Sequence, residues 1–191
     1  MIKAILFDCF GVLTTDTWRA FCDSLPEDVD IQAARDLNRA YGAGMITRQE
    51  FMDSVRDVTG RQPQEVETLL SSEITKNTAL LEYIRELKPH YAIGMISNIA
   101  SNWIRESFLT ADEQDLFEEM IFSFEVGMTK PDPRIFMLAC ERLRVGPHEA
   151  VMIDDIESYI EAAKGEGLEG IVYQNLPQLK EELGILLKKS E

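Results

Sequence analysis

Three short apolar segments, far apart in the chain, each end at polar side chains. They run from Ala4 to Phe7, from Tyr91 to Ile96 and from Val151 to Ile153, and weaker ones run from Ile121 to Phe124 and from Gly170 to Tyr173. Continuous apolar runs of this length indicate strands that are covered on both faces. Segments with helical periodicity separate them, and this alternation favours a parallel sheet with right-handed crossovers. The sequence therefore predicts an α/β fold with a mostly parallel central sheet.

The stretch between the first two strong strands shows only helical patterning. It includes the pattern of a capping box, in which Thr47 precedes Glu50 by three residues. A helical block between two strands of one sheet predicts an insertion beside that sheet. We therefore predict an α/β core domain made of residues 1–16 and 77–191, and an α-helical cap subdomain made of residues 17–76.

Composition and charge exclude several classes of partner. A net charge of −15 argues against nucleic acid and against an anionic membrane surface, because both would repel the chain. The apolar runs are too short to span a bilayer, and no signal-peptide pattern is present. The three cysteines lack CxxC spacing and are typical of reduced thiols. We therefore expect a cytoplasmic globular protein that binds neither nucleic acid nor membrane, and we leave its oligomeric state open.

The polar side chains at the strand ends complement one another chemically. They are, in chain order, Asp8, Ser97, Asn98, Asp154 and Asp155, with Lys130 on a proline-containing loop. The carboxyl ends of parallel strands share one edge of the sheet, where such folds bind ligands. Each group alone could cap a helix or a turn, and the lysine could simply be solvated. Together they form a set of groups suited to binding and transferring a phosphoryl group.

Four segments resemble the sequence motifs of the haloacid dehalogenase superfamily, in the same order and spacing. They are Phe7–Leu13, Ile96–Asn98, Lys130–Asp132 and Ile153–Asp155. The helical block resembles that superfamily's small cap, and Met45–Phe51 within it is similar to the caps of sugar-phosphate phosphatases and of the epoxide-hydrolase phosphatase domain. The resemblance implies a hydrolase with a Rossmann-like three-layer sandwich, a mostly parallel central sheet and an inserted α-helical cap.

The resemblance also implies a nucleophile and a metal site. Asp8 would attack the phosphorus atom and form an aspartyl-phosphate, which divides one difficult displacement into two easier ones. Mg²⁺ would be held by the Asp8 carboxylate, the Phe10 backbone carbonyl, Asp154 and Asp155, with Asp155 as the firmest assignment. Oxygen ligands of this kind suit a small hard cation that keeps some of its waters.

The remaining motif residues would bind the phosphoryl group. Ser97 and the backbone amide of Asn98 would contact its oxygens. Lys130 would neutralise charge on the phosphate and on Asp8, since catalysis of this kind is largely positioning and electrostatics. The implied substrate is a small phosphorylated metabolite, and the implied reaction is hydrolysis of a phosphoric monoester.

Two positions depart from the pattern of the superfamily's phosphatases. The position two residues after the nucleophile usually holds an acid–base Asp, and here it is Phe10, which cannot transfer a proton. General acid–base assistance contributes roughly 10²–10⁴-fold to rate, so we expect slow turnover of alkyl phosphates. Four residues after Asp155, where Asn or Asp is frequent in the superfamily, stands Tyr159. An outer polar group that would orient the metal site is therefore missing.

These departures leave two alternatives to a Mg²⁺-dependent phosphatase. One is a 2-haloacid dehalogenase in which Asp8 attacks carbon, although those enzymes need no metal and have usually lost the pair corresponding to Asp154 and Asp155. The other is a weakly active or inactive binding protein that retains the fold and the metal site, an alternative kept open by Phe10 and Tyr159. The substrate is not specified by the sequence, and four cap residues are candidates to face it: Trp18, Arg19, Tyr41 and Arg48.

Overall fold

A five-stranded parallel sheet forms the centre of the molecule. The structure is a computed structural model that describes residues 1–71 and 74–188. The strand order is β3-β2-β1-β4-β5, where the strands are β1 (Ala4–Phe7), β2 (Ala92–Ser97), β3 (Glu119–Phe122), β4 (Ala150–Asp154) and β5 (Glu169–Val172). Each pair of neighbours is parallel. The predicted α/β fold class is confirmed.

Strand β1 lies in the middle of the sheet, and its register aligns the strand ends. Phe7 pairs with Met95 on one side and with Ile153 on the other. The residues that follow these three therefore meet at one edge. Strands β2 and β4 each continue to the first polar residue, so Ser97 and Asp154 lie within the strands rather than after them.

The third strand begins and ends earlier than its sequence predicts. The prediction of a strand from Ile121 to Phe124 was wrong at its end, because β3 stops at Phe122 and the next residues form a short helix. Phe122 pairs with Ser97, the last residue of β2, so the regular pairing of the two strands ends there; beyond it the Phe124 N–H donates a single, longer hydrogen bond to the Ile99 carbonyl oxygen at 3.3 Å.

Helices cover both faces of the sheet, which gives the core its three layers. They are α5 (Thr78–Leu87), α6 (Ala111–Gln114), α7 (Ser123–Val126), α8 (Pro133–Arg142), α9 (Glu157–Gly165) and α10 (Leu176–Lys188), with a π-helical turn at Ile104–Phe108 and a 3₁₀ turn at Pro147–Glu149. Side chains of β1 alternate between the two faces: Ile5 and Phe7 pack in one apolar cluster, Ala4 and Leu6 in the other. None of the helices in the described ranges has the length and apolarity required to cross a membrane.

Four further helices follow β1 and pack around an apolar cluster of their own. They are α1 (Thr17–Asp23), α2 (Ile31–Gly42), α3 (Arg48–Thr59) and α4 (Pro63–Ser71). The buried members of this cluster include Phe21, Phe51 and Val55. The capping box at the start of α3 is present as predicted. We refer to α1–α4 as the cap, and its exact division from the core at residues 16/17 and 76/77 stays a prediction.

Candidate active site

Asp8 is held at the closed end of a cavity, directly after β1. Its backbone N–H donates to the carbonyl oxygen of Ile153 at 2.9 Å, which continues the sheet pairing by one residue. The side chain is only 7% exposed, and its Oδ1 accepts a hydrogen bond from the Cys9 N–H at 2.7 Å. The chain then turns sharply, with the Leu13 and Thr14 N–H groups donating to the carbonyl oxygen of Cys9. The carboxylate therefore sits on rigid backbone.

Lys130 joins the first strand end to the fourth. Its Nζ lies 2.8 Å from Oδ1 of Asp8 and 2.5 Å from Oδ2 of Asp154, and all three side chains are nearly or completely buried. The other oxygen of Asp154 accepts the Ile156 N–H at 2.9 Å. Lys130 is therefore not a solvated surface lysine, which was the alternative that the sequence left open.

Burial and neighbouring charges set the protonation of this group. Burial raises the pKa of Asp8 well above its usual range; Lys130 opposes that rise, while Asp154 and Asp155 add to it. Burial alone would lower the pKa of Lys130, but the two carboxylates outweigh it and the pKa is raised. The ammonium therefore stays charged, and it is the local cation that favours ionisation of Asp8.

Asn98 determines where Lys130 sits, a role that sequence reasoning missed. The Asn98 side chain accepts the Lys130 backbone N–H at 2.8 Å through Oδ1 and donates through Nδ2 to the Lys130 carbonyl oxygen at 2.9 Å. This two-point contact joins the end of β2 to the lysine loop. It also commits the side chain, so that any contact with a phosphoryl group would come from the backbone amide, as the motif resemblance implies.

Ser97 is completely buried beside this contact. Within the described ranges, its hydroxyl has no hydrogen-bond partner. A buried polar group without a partner is costly, and such groups are uncommon in proteins. Ser97 does not line the cavity, so its predicted contact with a phosphoryl oxygen stays a prediction.

Asp155 completes a carboxylate cluster with Asp8 and Asp154. One oxygen from each lies within 4.8 Å of the others. Burial raises the pKa of Asp155, Arg19 opposes the rise, and Asp154 adds to it. The Arg19 Nη1 atom lies 2.5 Å from Oδ2 of Asp155, whereas Oδ1 is buried and has no hydrogen-bond partner in the described part of the chain. Three converging carboxylates, together with the Asp155 oxygen that has no partner among the described residues, are suited to bind a small divalent cation.

Gly11 allows the turn after Asp8 to approach this cluster. Its φ is +86°, and a Cβ atom at this position would lie 2.2 Å from Oδ2 of Asp155. Both the left-handed backbone and the close approach require glycine. The position of Asp155 therefore depends on the absence of a side chain at residue 11.

The cavity above these groups has a volume of about 600 Å³ and is lined from two sides. The core contributes Asp8, Phe10, Asn98, Lys130, Asp155 and Tyr159, among others. Asp16, directly before α1, also lines the cavity, and the cap contributes polar and aromatic side chains from α1 to α3, namely Trp18, Arg19, Cys22, Gln32, Arg35, Asn38, Arg39, Tyr41 and Phe51. Volumes of this size are typical of sites for small molecules.

Three of the four cap residues singled out from the sequence line this cavity. Trp18, Arg19 and Tyr41 do so. The prediction that Arg48 faces the cavity was wrong, because Arg48 is exposed at the start of α3 and pairs with Glu67 of α4 on the cap surface. Sequence reasoning missed Arg35 and Arg39, although their spacing of four residues on an amphipathic helix places them on one polar face.

Two aromatic residues replace the polar groups expected beside the nucleophile. The Phe10 ring stacks on Trp103, with ring centroids 6.0 Å apart. The Tyr159 ring lies 5.3 Å from the Lys130 Nζ, measured to its centroid. An aromatic face beside a buried ammonium is favourable, so Tyr159 contacts the charged Lys130.

Comparison with known proteins gives consistent relatives. A family model described as haloacid dehalogenase-like hydrolase matches residues 2–167. A phosphorylated carbohydrates phosphatase from Thermotoga maritima is 27% identical over 183 residues, covering 89% of this chain and 84% of that protein. A D-ribitol-5-phosphate phosphatase from Bacteroides thetaiotaomicron is 26% identical over 211 residues, covering 98% and 99%.

A solved structure gives the same picture of the fold. A haloacid dehalogenase family enzyme from Bacteroides thetaiotaomicron, crystallised with magnesium and inorganic phosphate, superimposes with a TM-score of 0.65 at 22% identity, covering 94% of this chain and 99% of that one. Fold and site together define an α/β protein whose carboxylates gather at the strand ends around a buried lysine. With a family model spanning residues 2–167, the chain belongs to the haloacid dehalogenase-like hydrolases.

Proposed function

We propose that this protein is a Mg²⁺-dependent phosphatase that hydrolyses a small phosphorylated metabolite through an aspartyl-phosphate on Asp8. The observation that carries the proposal is the contact of Lys130 with both Asp8 and Asp154 at the closed end of the cavity. A buried ammonium beside a buried carboxylate opposes the effect of burial and favours the ionised form that a nucleophile requires. It also places positive charge where the oxygens of a bound phosphoryl group would lie.

The residues of this site would divide the work as follows. Asp8 would attack phosphorus, the Asn98 backbone amide and the Ser97 hydroxyl would hold the phosphoryl oxygens, and Lys130 would neutralise charge. The metal would be held by Asp8, Asp155 and the Phe10 carbonyl oxygen, and it would stabilise negative charge on the transferring group. Both oxygens of Asp154 are already engaged, by Lys130 and by the Ile156 N–H. We therefore assign Asp154 mainly to holding the lysine and Asp155 to direct coordination.

The relatives support the phosphatase over the dehalogenase alternative. Two similar curated proteins are named for hydrolysis of phosphorylated carbohydrates and of D-ribitol 5-phosphate, and the similar solved structure holds magnesium and inorganic phosphate. The converging carboxylates of this chain match a metal-dependent reaction, and a dehalogenase would not need them.

The test is phosphate release from 4-nitrophenyl phosphate and from a panel of sugar phosphates, with and without Mg²⁺. We expect release that requires the metal and that Asp8→Asn abolishes, with aryl phosphates turning over faster than alkyl phosphates because Phe10 supplies no acid. Asp57→Asn is the matched control, since Asp57 lies on the outer surface of the cap and pairs with Arg56.

Two outcomes would contradict the proposal. One is the absence of phosphate release from every substrate by folded protein that binds Mg²⁺, which would favour a binding protein. The other is metal-independent halide release from a 2-haloacid, which would identify a dehalogenase.

A further inference from the structure

The cavity has a different charge balance from the rest of the chain. Among the described residues lining it, three carboxylates (Asp8, Asp16 and Asp155) face four cations (Arg19, Arg35, Arg39 and Lys130). The whole chain carries a net charge of −15. The side chains that line the cavity therefore carry one more positive than negative charge, in contrast to the acidic chain as a whole.

Three of these four cations are already paired with acidic groups. Lys130 contacts Asp8 and Asp154, and Arg19 contacts Asp155. Arg39 lies 2.9 Å from Asp36 on its own helix. The pairs of Lys130 and Arg19 involve no residue of the cap helix α2.

Arg35 is the exception among these four cations. It lines the cavity from α2, and it forms no ion pair or hydrogen bond with any residue of the described ranges. Its charge acts on Cys22, which lines the same cavity. Burial raises the pKa of the Cys22 thiol to about 11, and the charge of Arg35 opposes that rise. An unpaired guanidinium that faces a small-molecule cavity is suited to a planar anion, which it can bind through two parallel hydrogen bonds.

The neighbours of Arg35 on α2 fit the same ligand. Gln32 and Arg39 lie three residues before it and four residues after it, so the three share one face of the helix, and all three line the cavity. Arg39 also acts on Tyr159 of the core, where burial raises the pKa of the hydroxyl and the Arg39 charge opposes the rise. This face of α2 therefore presents donors along the cap side of the cavity, opposite the core residues.

We infer that the substrate carries a second anionic group, a carboxylate or a further phosphate, which Arg35 binds while the reacting phosphoryl group lies at Asp8. The inference rests on the proposed phosphatase function and narrows it from phosphorylated metabolites in general to doubly acidic ones. Arg35 is thus a specificity residue, and a neutral sugar monophosphate would leave it without a partner.

The test compares pairs of substrates that differ only in the second acid. 6-Phosphogluconate is compared with glucitol 6-phosphate, the open-chain phosphate with a CH₂OH group in place of the carboxylate, and fructose 1,6-bisphosphate is compared with fructose 6-phosphate for a phosphate. We expect the wild type to have the higher kcat/KM on the acidic member of one pair, and that pair identifies which acid is recognised. Arg35→Gln should reduce kcat/KM for that member about 10- to 100-fold, the range for a hydrogen-bonded charge, and leave 4-nitrophenyl phosphate within about twofold.

Two controls separate recognition from general effects. Arg56→Gln removes a cation from α3 that pairs with Asp53 and Asp57 and does not line the cavity, so its kinetics should match the wild type. Arg35→Lys keeps the positive charge but lacks the planar pair of N–H donors of a guanidinium. Its kcat/KM for the acidic substrate should therefore lie between those of Arg35→Gln and the wild type.

Direct binding makes the inference testable without turnover. Calorimetry with the Asp8→Asn protein and Mg²⁺ should show tighter binding of the probe with two acidic groups than of the matching monophosphate. Arg35→Gln in the Asp8→Asn background should remove this difference in affinity. Equal binding of both members of both pairs would overturn the inference, even if 4-nitrophenyl phosphate is hydrolysed and the proposed function holds. Loss of all phosphate release with the binding difference intact would instead contradict the proposed function alone.

Discussion

The core and the cap line the same cavity but hold their side chains by different means. On the core side, Asp8, Lys130 and Asp154 are nearly or completely buried and contact one another at 2.5 and 2.8 Å. On the cap side, Gln32 and Arg35 are exposed helix residues. A buried charge requires a partner, because its desolvation is otherwise too costly, whereas an exposed charge does not.

Under the proposed function, the groups that carry out the reaction lie on the core, and the groups that select the substrate lie on the cap. The core groups depend on one another, so a change at one affects its neighbours as well as the reaction. Exposed cap groups such as Gln32 and Arg35 can be exchanged at little cost in folding, so they are free to differ with the substrate. Substitutions in the core should therefore alter stability and metal binding, and those in the cap should alter substrate preference.

Removing the buried lysine should have the largest effect. Lys130→Met leaves Asp8 and Asp154 together in the interior without a cation, and breaking a buried ion pair in this way costs about 3–5 kcal/mol. We expect that loss in the free energy of unfolding by denaturant titration, together with loss of phosphate release. Lys164→Met, which removes an exposed pair with Glu161, should cost less than about 0.5 kcal/mol. Similar losses for the two variants would contradict the role given to burial.

A methyl group at residue 11 should act on the metal site. Gly11→Ala would place Cβ against the Asp155 carboxylate in a left-handed backbone conformation, so the carboxylate has to move. We expect Mg²⁺ affinity, measured by calorimetry, to fall about 10- to 100-fold, the range for disturbed ligand orientation. Gly60→Ala has a similar φ of +71° but open space around it. It should lose stability only, and equal loss of Mg²⁺ affinity in both variants would remove Gly11 from the account of the site.

Restoring a carboxylate beside the nucleophile should change leaving-group dependence. Phe10→Asp should raise turnover of alkyl phosphates over that of aryl phosphates by roughly tenfold, less than the 10²–10⁴ typical of acid–base catalysis, because the stacking on Trp103 is lost as well. Phe10→Asn, which loses the same ring but gains no acid, serves as the control. If Phe10→Asp changes the turnover of alkyl and aryl phosphates by the same factor, the lack of an acid at residue 10 does not limit turnover.

The smallest effect is expected where the cap meets the core. The Ser123 Oγ lies 2.6 Å from the Gly42 carbonyl oxygen at the end of α2 and accepts the Ile99 N–H at 2.9 Å. Ser123→Ala should cost about 1 kcal/mol of stability and raise KM for a sugar phosphate more than it lowers kcat. Ser107→Ala, at an exposed position, should change neither. An unchanged KM in Ser123→Ala would mean that this contact does not position α2.

The sheet and its strand ends were predictable from sequence for a physical reason. Buried parallel strands must be apolar throughout, so Ala4–Phe7 and Val151–Ile153 stand out, and the residue that follows each one must lie at the same edge. Convergence of Asp8, Asp154 and Asp155 follows from that topology. The fold class was therefore predicted correctly, and the family was predicted correctly from the four segments that resemble the superfamily's motifs.

The contacts that complete the site were not predictable in the same way. The pairing of Asn98 with the Lys130 backbone depends on a loop conformation that no periodicity encodes. The choice of Arg19 and Arg35, rather than Arg48, depends on how the cap helices rotate against the core. Amphipathic spacing identifies a polar face, but it does not say whether that face meets solvent or a cavity.

The central claim is that Asp8 carries the phosphoryl group. Acid quenching of the protein during turnover of 4-nitrophenyl phosphate with Mg²⁺, followed by peptide mass spectrometry, tests it directly. We predict a phosphoryl group on the peptide containing Asp8, labile to hydroxylamine and absent from Asp8→Asn, and it should accumulate because Phe10 cannot activate the attacking water. Phosphate release by Asp8→Asn at the wild-type rate, or a label on any other residue, would contradict the account.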